Sequence, residues 1–286
     1  MKNIAIVVDS SCGLTKEQVE EKGWFFLPLH IEIDQTIYDD GINLNSSNIF
    51  EIFSKDSKNA KTSLTKPGEG VELFEKLSKE YEHIVFYPIS KHLSGQYQAF
   101  KLLESEFPKL KVVESKRIAQ LIVLDLLAFE QNLKNGMNFQ EAFDKINDFQ
   151  KAYISLMPKY NDFLVKGGRL HAAAATVAKL FKIIPIIKFE DGQLLKEDKG
   201  RVFDKTVNNV ITKKANEASG TMMILHSGNQ NIDSIVEYAE QESNRKVYVA
   251  SIAPVVAIHT GPEAVVVISF EENYDDLIEA NSYLFK

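Results

Sequence analysis

A single cysteine, Cys12, in a chain of 286 residues excludes an internal disulfide and any metal site built from cysteines. With so little thiol, a reduced intracellular setting is expected. Positive charge is also short, since 33 Lys and Arg against 40 Asp and Glu leave a net charge of −7. A nucleic-acid surface needs a basic stripe, and that balance argues against one. No uncharged apolar run approaches a membrane span. The opening MKNIAIVVDS has one lysine and a short apolar run stopped by Asp9, too brief for a secretory signal. A cytoplasmic protein without stable membrane insertion is the expectation. Several chemical signatures are missing as well. Neither a dinucleotide fingerprint nor a Gly-Lys-Ser/Thr phosphate loop occurs, and no two histidines sit at ligand spacing on one helix. No cofactor and no metal site are therefore expected.

What is present is ordinary for a folded chain, 44% hydrophobic and 26% charged, and long enough for one large domain or two of common size. Asn3–Val8 reads as a buried strand, and Thr15 with Gln18 three residues on is a capping-box pattern opening a helix to about Lys22. Trp24–Ile33 reads as one extended segment, Tyr38–Gly41 as a turn, Ser46–Phe53 as a short helix and Lys61–Gly68 as a polar loop. Helix Glu69–Tyr81, strand Ile84–Tyr87, helix Gln96–Glu106, strand Leu110–Glu114 and helices Arg117–Lys134 and Asn138–Gln150 follow. Strand alternating with helix predicts a doubly wound parallel sheet over residues 1–150.

Past residue 150 the texture changes. A strand, Tyr153–Met157, precedes Asn161–Val165 and an alanine-rich helix over roughly Leu170–Lys182. Asp191-Gly192 between two strand-like runs is a hairpin signal. Helix Phe203–Ala218, strand Met222–Leu225, helix Ile232–Glu242 and strands Val247–Ile252 and Val265–Phe270 complete the chain. The fold class is thus α/β, with a second α/β domain over residues 151–286 built on a mixed sheet.

Four spots carry candidate chemistry. In Ile84–Phe100 a strand ends at Pro88 and a polar loop delivers Ser94 and Gly95 to the start of a helix. Unpaired N–H groups and the helix dipole suit an anion there, while the plainer reading makes Ser94 a cap and Gly95 a turn residue. Thr62-Ser63 offers two hydroxyls. Gly167-Gly168-Arg169 reads either as a helix cap beside a surface cation or as a site. His259, before Gly261-Pro262, follows the apolar run Val255–Ile258 and is placed near the end of an extended segment. Ser94 and His259 could form a nucleophilic pair, but His92 and Gln96 stand where a nucleophile elbow needs glycines. Asp9, Asp39 and Asp40 read as turn and cap residues.

Taken in order, the Asp9-Ser10-Ser11 run, the Thr-Ser-x-x-x-Pro loop at Thr62, LSGQYQA, LVKGGRL and HTGPEAVVV resemble the DegV family, from Asp9 to about Phe270. That family includes the fatty-acid-binding subunits of bacterial fatty acid kinase. The resemblance implies two α/β domains with a ligand tunnel between them and a long-chain fatty acid in it. It implies a carboxylate held by Thr62 and Ser94, with His259 as a third polar group, Ser63 and Gly95 as neighbours and Arg169 near the tunnel mouth. It also implies no catalytic residue in this chain. A separate kinase catalytic subunit would phosphorylate the presented acid group. The sequence departs from the family pattern where the loop after Thr62-Ser63 reads Leu64-Thr65-Lys66-Pro67 in place of Gln-Pro and where Glu263 and Val266 replace glycines. Burying about sixteen methylenes at roughly 0.8 kcal/mol each is worth on the order of 12 kcal/mol before ordering costs, against about 1.5–3 kcal/mol for one charged hydrogen bond. The tail should supply affinity and the head group orientation, with some of the 18 Phe and 10 Tyr as lining. The rival reading is an acyl-transfer or ester-hydrolysing enzyme with Ser94 as nucleophile and His259 as base.

Overall fold

The computed structural model describes residues 3–54, 56–57, 59–148, 150–166 and 183–285. The Gly167-Gly168-Arg169 run and the alanine-rich segment after it lie outside the described residues.

β1 (Ile4–Asp9) is apolar on both faces and occupies the middle of a sheet. It pairs in parallel with β2 (Phe25–Leu27) on one side. After β3 (His30–Ile33), β4 (Thr36–Asp39) and β5 (Ala60–Ser63) comes β6 (His83–Tyr87), its parallel partner on the other side. β7 (Leu110–Val112) completes the all-parallel order β2-β1-β6-β7. Side chains alternate in their destination, as strand geometry requires. Ala5, Val7, Ile84 and Phe86 enter one core with Phe74 and Phe100. Those two rings belong to α3 (Pro67–Glu80) and α4 (Gln96–Lys101), which follow α1 (Lys16–Glu21) and α2 (Ile49–Ile52). Ile6, Val8, Val85 and Tyr87 face the other way, onto α5 (Gln120–Lys134). α1 opens with the expected capping box between Thr15 and Gln18. A second box, Asn138 with Glu141, opens α6 (Phe139–Ile146).

The second sheet has the order β10-β9-β8-β13-β11-β12, from β8 (Ala152–Met157), β9 (Ile184–Glu190), β10 (Gln193–Gly200), β11 (Met222–His226), β12 (Val247–Ser251) and β13 (Val265–Phe270). Only β11 and β12 run parallel, so the sheet is mixed as expected. One face, through Met157, Met222, Ile224 and Val267, packs on α8 (Phe203–Glu217) and α9 (Ile232–Ser243), which come after α7 (Asn161–Lys166). The opposite face, through Ile154, Leu156, Leu225 and Ile268, joins the core that contains α5. The two sheets therefore share one apolar interior.

A third sheet, β4-β3-β5, is antiparallel and was not expected from the sequence. The segment read as one strand, Trp24–Ile33, is broken at Pro28, which cannot donate to a ladder, so β2 and β3 serve different sheets. Tyr38 and Asp39 of the expected turn close β4, and the turn itself follows across Asp40 and Gly41, where the Ile42 N–H donates to the Asp39 carbonyl at 3.1 Å. The β3–β4 hairpin turns at Asp34 and Gln35, both with positive φ. The polar loop expected at Lys61 begins as β5, with Thr62 opposite Ile31. His259 is helical rather than extended: Pro254 opens α10 (Pro254–Thr260), whose β-branched residues mimic a strand pattern. A last helix, α11 (Asp275–Ala280), follows β13. Among the described residues no helix is long and apolar enough to cross a membrane.

Candidate functional site

A cavity of about 730 Å³ lies between the sheets, within the range of small-molecule sites. Its walls are built from both halves: Leu29, Ile89, Leu93 and Leu121 from one, Leu156, Phe189, Leu225 and Ile252 from the other. Most of these wall residues are buried. The lining is mostly aliphatic; Phe189 is its one Phe, Tyr or Trp among the described residues, so the aromatic residues that could help line it contribute a single ring there. The aromatic rings go elsewhere. Phe74, Phe86, Phe100 and Phe107 pack together beneath the parallel sheet instead.

Against this apolar surface stands a polar group made of the residues singled out in the sequence. Thr62, Ser63, Ser94, Gly95 and His259 all line the cavity. Arg169 lies outside the described residues. Thr62, Ser94 and His259 are half-buried, and Ser63 and Gly95 are exposed, so this polar stretch of the wall reaches toward solvent together with Leu64, Leu93 and Leu194, while Leu121, Leu156, Leu225 and Ile252 are buried.

Three elements bring the group together. β5 presents Thr62. The third sheet packs on α10 through Leu29, Ile31, Val255 and Ile258, which sets His259 beside it. The result is a contact of 3.1 Å between Thr62 Oγ1 and His259 Nε2. The end of α10 is fixed by Gly261, whose φ of +79° and close approach to the Phe163 ring leave no room for a side chain. Ser94 comes from the loop after β6. Gly95 rather than Ser94 is the N-cap of α4, with no side-chain cap bond. The Ser94 Oγ, one residue earlier, accepts from the Gln96 N–H at 3.2 Å, and the hydroxyl keeps its own proton to donate. The start of α4 abuts the Thr62 segment, because a Cβ at Gly95 would sit 3.8 Å from Leu64.

Behind the wall two carboxyls are fully buried. Asp9, at the end of β1, accepts from the Ser11 N–H at 3.1 Å and the Ile89 N–H at 2.8 Å, which anchors the loop leading to Ser94. Burial pushes its pKa up to about 6, opposed by its hydrogen bonds from Ser11 and Ile89. Asp40 has neither oxygen in hydrogen-bonding geometry among the described residues, and burial pushes it up to about 8. The Ser10 hydroxyl and the Val255 and Gly41 N–H groups are near enough to oppose that rise. Asp40 stands in the expected turn, since the Ile42 N–H donates to the Asp39 carbonyl at 3.1 Å across Asp40 and Gly41, and burial makes it in addition an acid that favours its neutral form.

Glu263 does not line the cavity. Its carboxylate is taken by Lys159 and by the Tyr160 hydroxyl, the latter at 3.0 Å. Val266 does line it. No group of three or more His, Cys, Asp or Glu suited to a metal occurs among the described residues.

The family model described as an uncharacterised protein of the DegV family matches residues 3–272. A DegV domain-containing protein of Mycoplasmopsis pulmonis is 42% identical over 270 residues, covering 92% of this chain and 93% of that protein. Among solved structures, a fatty acid binding DegV family protein from Streptococcus agalactiae superposes with a TM-score of 0.83 at 23% identity, covering 96% of this chain and 100% of the other. A stearic acid-binding protein from Eubacterium ventriosum gives a TM-score of 0.79 at 24% identity, covering 94% of this chain and 98% of the other.

Proposed function

The chain belongs to the DegV family, and on that premise we propose that it binds a long-chain fatty acid, tail in the apolar cavity and carboxylate on Thr62, Ser94 and His259. The observation that carries this reading is the polarity of the wall: Thr62, Ser63, Ser94 and His259 on one stretch, and a mostly aliphatic lining that runs inward to the buried Leu121, Leu156, Leu225 and Ile252. Lys91, His92, Gln98 and Thr260 are the further polar members of that lining. The fatty-acid binding of the Streptococcus agalactiae and Eubacterium ventriosum proteins supports the ligand class. The chain itself carries no catalysis. It shields the tail and presents the acid group to a separate kinase subunit, which forms an acyl phosphate. The half-exposure of Thr62, Ser94 and His259 supports such presentation. Arg169 is assigned to the cavity mouth by its motif alone.

An acyl enzyme would need His259 on Ser94. Instead the His259 ring meets Thr62 at 3.1 Å, and the Ser94 oxygen accepts from the helix backbone, which favours the carrier. Mass spectrometry of the purified chain under native and denaturing conditions, with extraction of any lipid, separates the two. A fatty acid present natively and lost on denaturation is expected. A persistent acyl mass on Ser94, or no lipid bound on addition of fatty acid, would end this reading.

A further inference from the structure

Thr65 and Gln96 are buried and stand just behind the cavity wall, one on each of the two segments that supply its hydroxyls. Thr62 belongs to the antiparallel sheet and Ser94 to the loop after β6 of the parallel sheet, so no ladder sets their separation. The Gln96 carboxamide spans the gap with both of its ends. Its Oε1 accepts from the Thr65 N–H at 3.1 Å, and its Nε2 donates to Thr65 Oγ1 at 2.8 Å. The Thr65 hydroxyl passes its own proton to the Pro28 carbonyl at 2.8 Å. The backbone N–H of the same Gln96 donates to Ser94 Oγ. One residue thus holds the Ser94 hydroxyl through its main chain and the Thr62 segment through its side chain.

A buried carboxamide is costly unless satisfied, and a two-point contact fixes rotation as well as distance, which one hydrogen bond does not. We infer that Gln96 and Thr65 are positioning residues that hold the Thr62 and Ser94 hydroxyls at one spacing, so that both meet the same acid group and the site prefers an acid to its ester. The inference rests on the carboxylate-binding reading above. Neither residue touches the ligand; they act through Thr62 and Ser94.

The test titrates the delipidated full chain with palmitic acid and with methyl palmitate, for wild type, Thr65→Val, Thr65→Ser, Gln96→Leu and the Thr65→Val/Gln96→Leu double variant. Palmitate affinity should fall about fivefold in Thr65→Val and about tenfold or more in Gln96→Leu, the scale of one or two disrupted buried hydrogen bonds. Ester affinity should stay within about twofold in both, because the tail is untouched. The double variant should be no worse than Gln96→Leu, since the two act as one network, and Thr65→Ser should keep the wild-type preference. Acid and ester affinities falling together, or neither changing in a folded variant, would overturn the positioning role. If Gln96→Leu does not fold, the Val and Ser variants at Thr65 still decide the question. A wild type with no preference for the acid would bring down the carboxylate reading itself, and this inference with it.

Discussion

At the scale of single residues, Ser94 and Asp40 carry opposite lessons. Ser94 sits where a cap and a ligand donor are both possible, and its oxygen accepts from Gln96 while its proton is left to give. Removing that proton in Ser94→Ala should weaken fatty-acid binding about ten- to a hundredfold, the range for one lost charged hydrogen bond, without loss of the fold. Titration alongside a thermal melt checks both halves of that expectation. Asp40 is not legible as a buried acid, because Asp39-Asp40-Gly41 has turn chemistry and the Val255 N–H near its carboxyl comes from more than 200 residues away in sequence. Its raised pKa, like that of Asp9, means the folded chain holds protons that the unfolded chain has released. Stability should therefore fall as pH rises from the ordinary 3.8 through about 6 for Asp9 and on through about 8 for Asp40, then level off. Asp40→Asn, which mimics the neutral acid, should flatten the upper part of that slope. Denaturant melts across the window test it, and a variant whose stability tracks wild type in parallel would refute the assignment. Each kcal/mol lost in wild type should appear as about 2–4 °C in Tm.

Elements were legible where the local pattern and the fold agree. β1 and β6 are buried on both faces and read as unbroken apolar runs, and the Thr15 cap is spelled out in four residues. The third sheet was not, because β4 and β5 are short and polar and find β3 only through non-local pairing. α10 was misread for a different reason. Its Val-Val-Ala-Ile run favours a strand locally, and the Pro254 start and the packing on Val255 and Ile258 override it. The placement of His259 depends on how this helix ends. Gly261 has a φ of +79°, and a Cβ there would lie 2.8 Å from the Phe163 ring. Gly261→Ala should cost on the order of 1–3 kcal/mol through strain in that region, before any clash is counted. A thermal melt reads the loss, and ligand affinity should fall with it as His259 shifts from Thr62. An unchanged Tm would show that α10 can end without this turn.

For the molecule as a whole, the cavity is the feature no local pattern could reveal, since its wall takes single residues from segments spread between Leu29 and Ile268. The motifs named Thr62, Ser63, Ser94, Gly95 and His259; only packing could name Lys91, His92, Gln98, Thr260 and the apolar wall. The same packing joins the two sheets through the tip of the β9–β10 hairpin. The Ser90 hydroxyl donates to the Gly192 carbonyl at 2.7 Å, and Lys116 lies 3.8 Å from Asp191. Gly192, with φ +78°, comes so close that a Cβ would meet Ser90 Oγ at 2.5 Å and the Lys116 backbone at 3.0 Å. Ile89, Lys91, His92 and Leu93 on one side of this contact, and Phe189 and Leu194 on the other, all line the cavity. Gly192→Val should therefore lift the hairpin from the loop after β6 and open the wall at that point. On the proposed reading the tail supplies most of the affinity, and a gap exposing part of it should speed release by roughly tenfold, the effect of about 1.4 kcal/mol or two methylenes returned to water. Of the head-group contacts, Thr62 and His259 lie on other elements, whereas Ser94 shares the loop with Ser90 and donates its N–H to the Ser90 carbonyl at 3.2 Å, so the ratio of acid to ester affinity should fall as well. Dissociation of a fluorescent C16 acid into excess competitor measures the first quantity and equilibrium titration the second. Unchanged release from a variant with lowered Tm would mean that the hairpin braces the two sheets without closing the cavity.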